Sequence, residues 1–388
     1  MSTLTIVGAS TAGFALASAL REFDYSDEIR LIGAEKQPPY NRTALTKTQF
    51  SDQLDFDRIA LTNFDELKGM GIEFIGDTQA IGLDHNSKRV QAQTGSGSRL
   101  DFDYEPLVIA TGIRARRLPQ SSATGVFYLR DFHDVVEIQK ASSQAVNVTV
   151  LGTGILGLEV ASNLVAAGKE VTVVGRSFES ITRVFGEHLT KQLVIELGEA
   201  GIDVKFTTNS SVHEAEGYID LVLDSGERVS SEILICAIGS EPNSEWLDGS
   251  PLTLRNGLVV TSEGQAWDSI FAIGDVAIWG DDGSSYAFQN QANAIKQARS
   301  LAQALTGRKR ESIYPGYFWS EVFGKKVQAV GQTTASSTEV LHKNHDRWVM
   351  LHKEIDAVVG ISAFGMPREF ARTRHQYSTE IELEGEKV

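Results

Sequence analysis

The chain has 388 residues, 41% of them hydrophobic and 22% charged, and its 51 acidic against 36 basic side chains give a formal net charge of −15. That balance argues against nucleic acid as a general partner, and a mean hydropathy of −0.14 with no apolar run of spanning length argues against a membrane protein. A lone cysteine, Cys236, excludes an intramolecular disulfide and with it any chemistry that needs a redox-active cysteine pair.

The length allows two or three domains, and the chain opens directly on a strand with no basic leader, so a cytoplasmic protein is expected. Leu4-Thr5-Ile6-Val7 reads as that strand, and Gly8-Ala9-Ser10-Thr11-Ala12-Gly13 as the turn into an alanine-rich helix over residues 14 to about 21. Glycines in such a turn let the backbone approach a pyrophosphate, while the helix N-terminus points N–H groups at its charge. Ser10 replaces the middle glycine of the pattern and crowds that approach. Ile29-Arg30-Leu31-Ile32 predicts the next strand, ending near Glu35, whose carboxylate can accept both hydroxyls of an adenosine ribose. Gly8, Ser10, Gly13 and Glu35 are therefore candidate dinucleotide contacts.

Residues 106–112 predict the end of a sheet, and Arg114, Arg116, Arg117 and Pro119 a crossing between domains. The device then recurs. Val148-Thr149-Val150-Leu151 leads into Gly152-Thr153-Gly154-Ile155-Leu156-Gly157 with all three glycines, and Val171-Thr172-Val173-Val174 supplies the following strand. After that strand stands Gly175-Arg176-Ser177 in place of an acidic residue. A 2′-phosphate repels a carboxylate and is matched by arginine, so Arg176, with Arg183 as a second partner, favours NADPH or use of both nicotinamides. Cys236 lies in the apolar run Ile233-Leu234-Ile235-Cys236-Ala237-Ile238 and reads as a core side chain. Gly239 closes this unit, and Glu241-Pro242-Asn243 is the return crossing. A short strand and acidic turn follow at residues 269–275, then a helix from about 287 to 305. Alternating aromatic and β-branched residues from 313 suggest an antiparallel sheet, and the charge-rich residues 379–388 a tail.

A chain with two such cradles holds two nucleotides. With one of them FAD, the arrangement serves hydride transfer from a nicotinamide to an isoalloxazine ring. The expected class is α/β, with two Rossmann-like nucleotide-binding domains and a C-terminal α+β domain. No metal site is expected.

Several motifs together resemble the FAD-dependent pyridine nucleotide oxidoreductases, specifically the ferredoxin and rubredoxin reductases of bacterial oxygenase systems. They are Pro39-Tyr40-Asn41-Arg42-Thr43-Ala44-Leu45-Thr46-Lys47, Ala110-Thr111-Gly112, Gly154-Ile155-Leu156-Gly157-Leu158-Glu159, Ala272-Ile273-Gly274-Asp275 and Pro315-Gly316-Tyr317-Phe318-Trp319-Ser320-Glu321. The resemblance covers nearly the whole chain. It implies a glutathione-reductase-like FAD domain split over 1–114 and 244–311, an NAD(P)H domain over 115–243, a C-terminal domain over 312–378 and a charged tail over 379–388.

The resemblance also implies roles. Asp275 accepts from the ribityl chain, Lys47 stands near flavin N5 paired with Glu159 beside the nicotinamide, and Trp319 lies at the flavin edge as relay or shield. Arg42, Ala110, Thr111, Gly112, Arg130, Gly239, Gly274 and Ala294 complete the implied cofactor contacts. The implied acceptor is a ferredoxin-type iron–sulfur protein, usually acidic, and Arg308-Lys309-Arg310, Lys325-Lys326, Arg368, Arg372 and Arg374 are candidates for a basic docking rim. Thr43 and Ala44 stand where the family has prolines, Gln289 where it has a glutamate, and Phe364-Gly365-Met366-Pro367-Arg368 keeps part of a pattern. Two other readings fit the same residues: an NAD(P)H oxidase with a small-molecule acceptor, and a nucleotide-sensing flavoprotein that acts as an interaction switch.

Overall fold

The structure, a computed structural model, describes residues 3–47, 54–119, 123–280, 289–313, 316–379 and 381. Two units divide the chain. Unit one comprises Met1–Arg42, Asp55–Arg114 and Glu241–Ile313; unit two comprises Thr43–Leu54, Ala115–Ser240 and Tyr314–Val388.

Unit one is built on a six-stranded sheet in the order Gln265–Trp267, Ile270–Ala272, Leu107–Ile109, Thr3–Val7, Glu28–Ile32, Ile72–Ile75. All neighbours are parallel except the first pair, and the register sets Ile6 beside Leu31 on one side and Val108 on the other. The central strands are buried at most positions, Thr5 included, because both sheet faces are covered. The Thr11–Glu22 helix buries Ala12, Leu16, Ala17, Ala19 and Leu20 and packs on the Gln291–Leu305 helix, which buries Ala294, Ala298, Leu301 and Ala302. Small side chains at this contact let the two helices approach closely. The first helix begins at Thr11, earlier than the sequence suggests, because the end of the glycine turn is already its first turn. The later helix begins at Gln291, capped by the Asn290 side chain, which accepts from the Asn293 backbone N–H at 2.9 Å; Ala287, where its start was expected, lies outside the described residues.

Unit two carries a five-stranded parallel sheet in the order Asp203–Phe206, Glu170–Gly175, Asn147–Leu151, Ile233–Cys236, Val126–Tyr128. The Ile155–Ala166 helix follows the second glycine turn, and a three-stranded antiparallel ribbon spans Ser210–Ala215, Tyr218–Leu223 and Arg228–Ser231. The expected antiparallel sheet of the C-terminal part has five strands, in the order Tyr317–Val322, Lys325–Gly331, Ala357–Phe364, Arg347–Glu354, Ser337–Asn344, with the Pro367–Gln376 helix packed on it. Trp348, Phe364 and Phe370 are fully buried there. Ile381 packs into the same core, so the chain is still held at that point; residues 380 and 382–388 of the expected tail, and Pro315, lie outside the described residues.

Candidate functional site

The first cradle, in unit one, is built by contacts that only glycine permits. At Gly8, φ is +122°, and a Cβ there would lie 2.0 Å from the Ala110 carbonyl oxygen; a Cβ on Gly13 would lie 2.0 Å from the Gly8 oxygen. Strand end, helix start and the Ala110 segment are thus pressed together at backbone distance. Ala110 donates to the Val7 oxygen at 2.7 Å, and the side chains of Thr111 and Asn243 exchange hydrogen bonds with each other's backbone at 2.7 and 2.9 Å. Gly112, at φ +64°, accepts from the Asn243 N–H, so this segment is zipped to the returning chain. Arg114 gathers the same stretch, with ion pairs to Glu241 and Glu245 and a hydrogen bond to the Pro242 oxygen.

Ser10 is the N-cap of the Thr11–Glu22 helix, yet its side chain does not cap it; its Oγ accepts from Arg42 Nε at 2.9 Å. The departure from glycine therefore has a function the sequence did not reveal: it anchors a guanidinium at a helix N-terminus. Arg42 also pairs with Glu35, donates to the Tyr40 hydroxyl at 2.8 Å and lies over the Tyr40 ring, while that hydroxyl donates to Glu35 at 2.7 Å. Two of the four carboxylate lone-pair sites of Glu35 are used, leaving two for a vicinal diol. Gly274 (φ +75°) donates its N–H to Gln297 Oε1 at 2.7 Å, and a Cβ on it would lie 2.9 Å from that of Ala12. That contact brings the Gly274–Val276 turn, with half-buried Asp275, and buried Ala294 to the start of the first helix.

The second cradle, in unit two, repeats the construction. A Cβ on Gly152 (φ +138°) would lie 2.1 Å from the Ala237 oxygen, and one on Gly157 would lie 2.1 Å from the Gly152 oxygen. Gly154, the N-cap of Ile155–Ala166, differs: the nearest atom to its ideal Cβ is Ser180 Oγ at 3.7 Å, an ordinary van der Waals contact, so a Cβ is sterically tolerated there. Neither post-turn helix has a side-chain cap; Glu179–Phe185, Glu187–Glu199 and Pro367–Gln376 also lack one, while Asp55, Asn63, Asp131 and Asn290 cap theirs. Uncapped N–H groups above a glycine cradle fit a dinucleotide pyrophosphate. Arg176 is exposed and makes no hydrogen bond or ion pair among the described residues. Arg183 pairs with Glu179 on its own helix at 3.8 Å, Arg130 donates its backbone N–H to Asp134 at the start of the Phe132–Gln144 helix, and Gly239 takes φ +101°.

Unit two also gathers Lys47, Glu159 and Trp319. Glu159, 7% exposed, forms an ion pair with Lys47 and accepts from Thr46 Oγ1 at 2.6 Å and from Ser320 Oγ. Asn163, one turn along the same helix, donates to the Thr46 carbonyl at 2.6 Å and fixes the segment that presents Lys47. Three donors on one buried carboxylate offset the cost of removing its charge from water. Lys47 Nζ lies 5.2 Å and Lys326 Nζ 4.6 Å from the Trp319 ring centroid. Thr46, Asn163, Ser320 and Lys326 were missed as members of this cluster; adjacency of Thr46 to Lys47 and of Ser320 to Trp319 was the available signal.

The basic rim needs correction. Lys325 is held between Glu196 at 2.7 Å and Asp346, with its side chain 18% exposed, so it is not a docking charge. Arg308 pairs with Asp24, and Arg310 is folded against Ser300 and Glu263. Arg368 and Arg372 remain exposed on the Pro367–Gln376 helix, with Arg374 over the Tyr317 ring. Cys236 is buried, and burial pushes its thiol up to about 12, so no thiolate is available near neutral pH. Among the described residues no helix is long and apolar enough to cross a membrane.

Two glycine cradles on parallel sheets, with a buried Lys–Glu pair, suit a protein that holds two dinucleotides. Residues 2–300 match the family model for pyridine nucleotide-disulphide oxidoreductases and residues 317–388 that for the reductase C-terminal domain, and the chain belongs to the pyridine nucleotide-disulphide oxidoreductase family. It is 32% identical to a rubredoxin-NAD(+) reductase of Pseudomonas putida, covering 84% of this chain and 86% of that one. It is 30% identical to the ferredoxin--NAD(+) reductase subunit of a benzene 1,2-dioxygenase system of Pseudomonas putida, covering 99% and 94%. Among solved structures, the ferredoxin reductase for the CYP199A2 system from Rhodopseudomonas palustris superposes with TM-score 0.85 at 27% identity, over 94% of this chain and 91% of that one. The reductase in a covalent putidaredoxin reductase–putidaredoxin complex shares the fold, with TM-score 0.88 at 24% identity over 98% and 94%.

Proposed function

We propose that this chain is an FAD-dependent ferredoxin–NAD(P)H reductase that takes hydride from a reduced nicotinamide and passes electrons singly to a small iron–sulfur carrier serving an oxygenase. The observation that carries the reading is the duplicated pyrophosphate cradle in a chain with a single, buried cysteine. One cradle suits a resident flavin and the other an exchanging nicotinamide. Without a cysteine pair, electrons leave directly to an acceptor rather than through a disulfide. The named relatives act with rubredoxin or ferredoxin, which supports the same acceptor class here.

When bound, FAD supplies the conversion between two-electron and one-electron chemistry. The Gly8 turn, Arg42 and the uncapped Thr11–Glu22 helix would hold its pyrophosphate, Glu35 its adenosine ribose and Asp275 its ribityl chain. The Gly152–Gly157 turn orients the nicotinamide dinucleotide. Lys47 would supply a positive charge to the reaction, and Glu159 pairs with Lys47 and holds it in place. Trp319 shields the reaction from water. Exposed Arg368 and Arg372 steer an acidic carrier.

Two finer assignments belong to the proposal. Arg176 pairs with a 2′-phosphate, so NADPH is used at least as well as NADH, and the protein works in the cytoplasm, where reduced nicotinamides are supplied. Anaerobic rapid mixing with NADH or NADPH, followed by a [2Fe–2S] ferredoxin, tests the whole reading. Fast bleaching of the yellow chromophore and carrier-dependent turnover are expected. High turnover with oxygen alone would favour the oxidase reading, and slow reduction with no turnover on any carrier the sensing one.

A further inference from the structure

The Gln291–Leu305 helix carries an anomaly in unit one. Asn293 is 2% exposed, and among the described residues neither its Nδ2 nor its Oδ1 has a hydrogen-bond partner. A buried amide left so costs free energy in the folded chain, and a replacement of similar shape without polar atoms would remove that cost. Its place in the fold gives the reason. Asn293 lies one helical turn before Gln297, whose Oε1 holds the Gly274 N–H at 2.7 Å. Both therefore lie on the helix face that meets the Gly274–Val276 turn, beside Ala294 and, across Gly274, Ala12 at the start of the first helix. The Asn293 backbone N–H is already satisfied by Asn290, so only the side chain is unpaired.

We infer that Asn293 is a binding residue for the polyol part of the flavin cofactor, an assignment that rests on the flavoprotein reading above. A side-chain amide offers one donor and one acceptor group. A phosphate has no proton for Oδ1. A hydroxyl satisfies both atoms at once, because it donates and accepts. Asp275 as a carboxylate only accepts, so the two residues supply complementary halves of a polyol's hydrogen bonding.

The test uses the apoprotein of the full chain, with Asn293→Leu, close to Asn in shape, and Asn293→Ala. FAD binding is followed by fluorescence quenching, ADP binding by calorimetry and apoprotein stability by thermal melting. ADP reaches the adenosine and pyrophosphate contacts but carries no ribityl chain. Asn293→Leu should weaken FAD about tenfold, leave ADP within about twofold, and not lower the apoprotein Tm. Equal loss of FAD and ADP, or a lowered apoprotein Tm in both variants, would make Asn293 structural and overturn the assignment. Unchanged FAD affinity overturns it as well. A wild-type apoprotein that takes up no FAD would sink the flavoprotein reading, and the assignment with it.

Discussion

Lys326 holds its ammonium 4.6 Å from the centroid of the Trp319 ring, and Lys47 approaches the same ring at 5.2 Å. Two cations beside an indole stabilise it while neutral and oppose removal of an electron from it, since the product would be a third positive charge nearby. Trp319 is therefore expected to shield rather than relay. Trp319→Phe should keep the rate of carrier reduction within about threefold, while Trp319→Ala raises oxygen consumption at the expense of carrier reduction. Stopped-flow and oxygen-electrode measurements check the two halves.

Glu159 depends on its three donors. Ser320→Ala removes one hydroxyl from a buried carboxylate and should cost about 1–3 kcal/mol in denaturant unfolding. Glu159→Gln leaves the Lys47 charge without its counter-ion and should cost about 3–5 kcal/mol. Asn163→Ala, which frees the backbone that presents Lys47, should slow hydride transfer with a smaller effect on stability.

Lys325 is structural. Lys325→Met strands the buried Glu196 carboxylate and is expected to lower stability by about 3–5 kcal/mol, with most of the loss recovered in the Lys325→Met, Glu196→Leu double variant. The KM for the carrier should not move. Arg368→Glu with Arg372→Glu should do the reverse, raising that KM at least tenfold at low salt and flattening its salt dependence, with flavin reduction by nicotinamide unaffected.

His352 sets an acid limit. Its ring is buried, its Nε2 contacts Ser362 Oγ at 2.7 Å, and burial together with the nearby His188 holds its pKa down at about 4. The unfolded chain takes this proton near pH 6.5 and the folded chain only near 4, so between those values the unfolded state binds more protons. Stability is then complete above pH 6.5 and falls as the solution is acidified, by on the order of 3 kcal/mol near pH 4. His352→Gln should flatten that part of the stability–pH curve, measured by urea titrations from pH 7.5 to 4.5.

The cradles were legible because each demands glycine at fixed intervals after an apolar strand, a local constraint that survives in sequence. The antiparallel C-terminal sheet was legible for a similar reason, from alternation of residue type. What escaped was pairing between distant positions. Nothing in periodicity links Ser10 to Arg42, Lys325 to Glu196 or Ser320 to Glu159, and each pair exists only once the sheets bring its elements together. Lys325 reads as part of a basic dipeptide and proves to be half of an ion pair. Asn293 is the opposite case, a polar residue on a helix with no sign that its side chain would be buried and unpartnered.

The central claim is that the second cradle admits a nicotinamide dinucleotide while the first holds a flavin. Gly154 is the residue to change, because a Cβ there meets only an ordinary contact with Ser180 Oγ at 3.7 Å, whereas one on Gly152 or Gly157 would collide with backbone oxygen at 2.1 Å. Purified Gly154→Val should keep its yellow chromophore, its Tm and its reduction by dithionite, while the rate of flavin reduction by NADH and NADPH falls at least a hundredfold. Reduction of that variant by either nicotinamide at the wild-type rate would contradict the account.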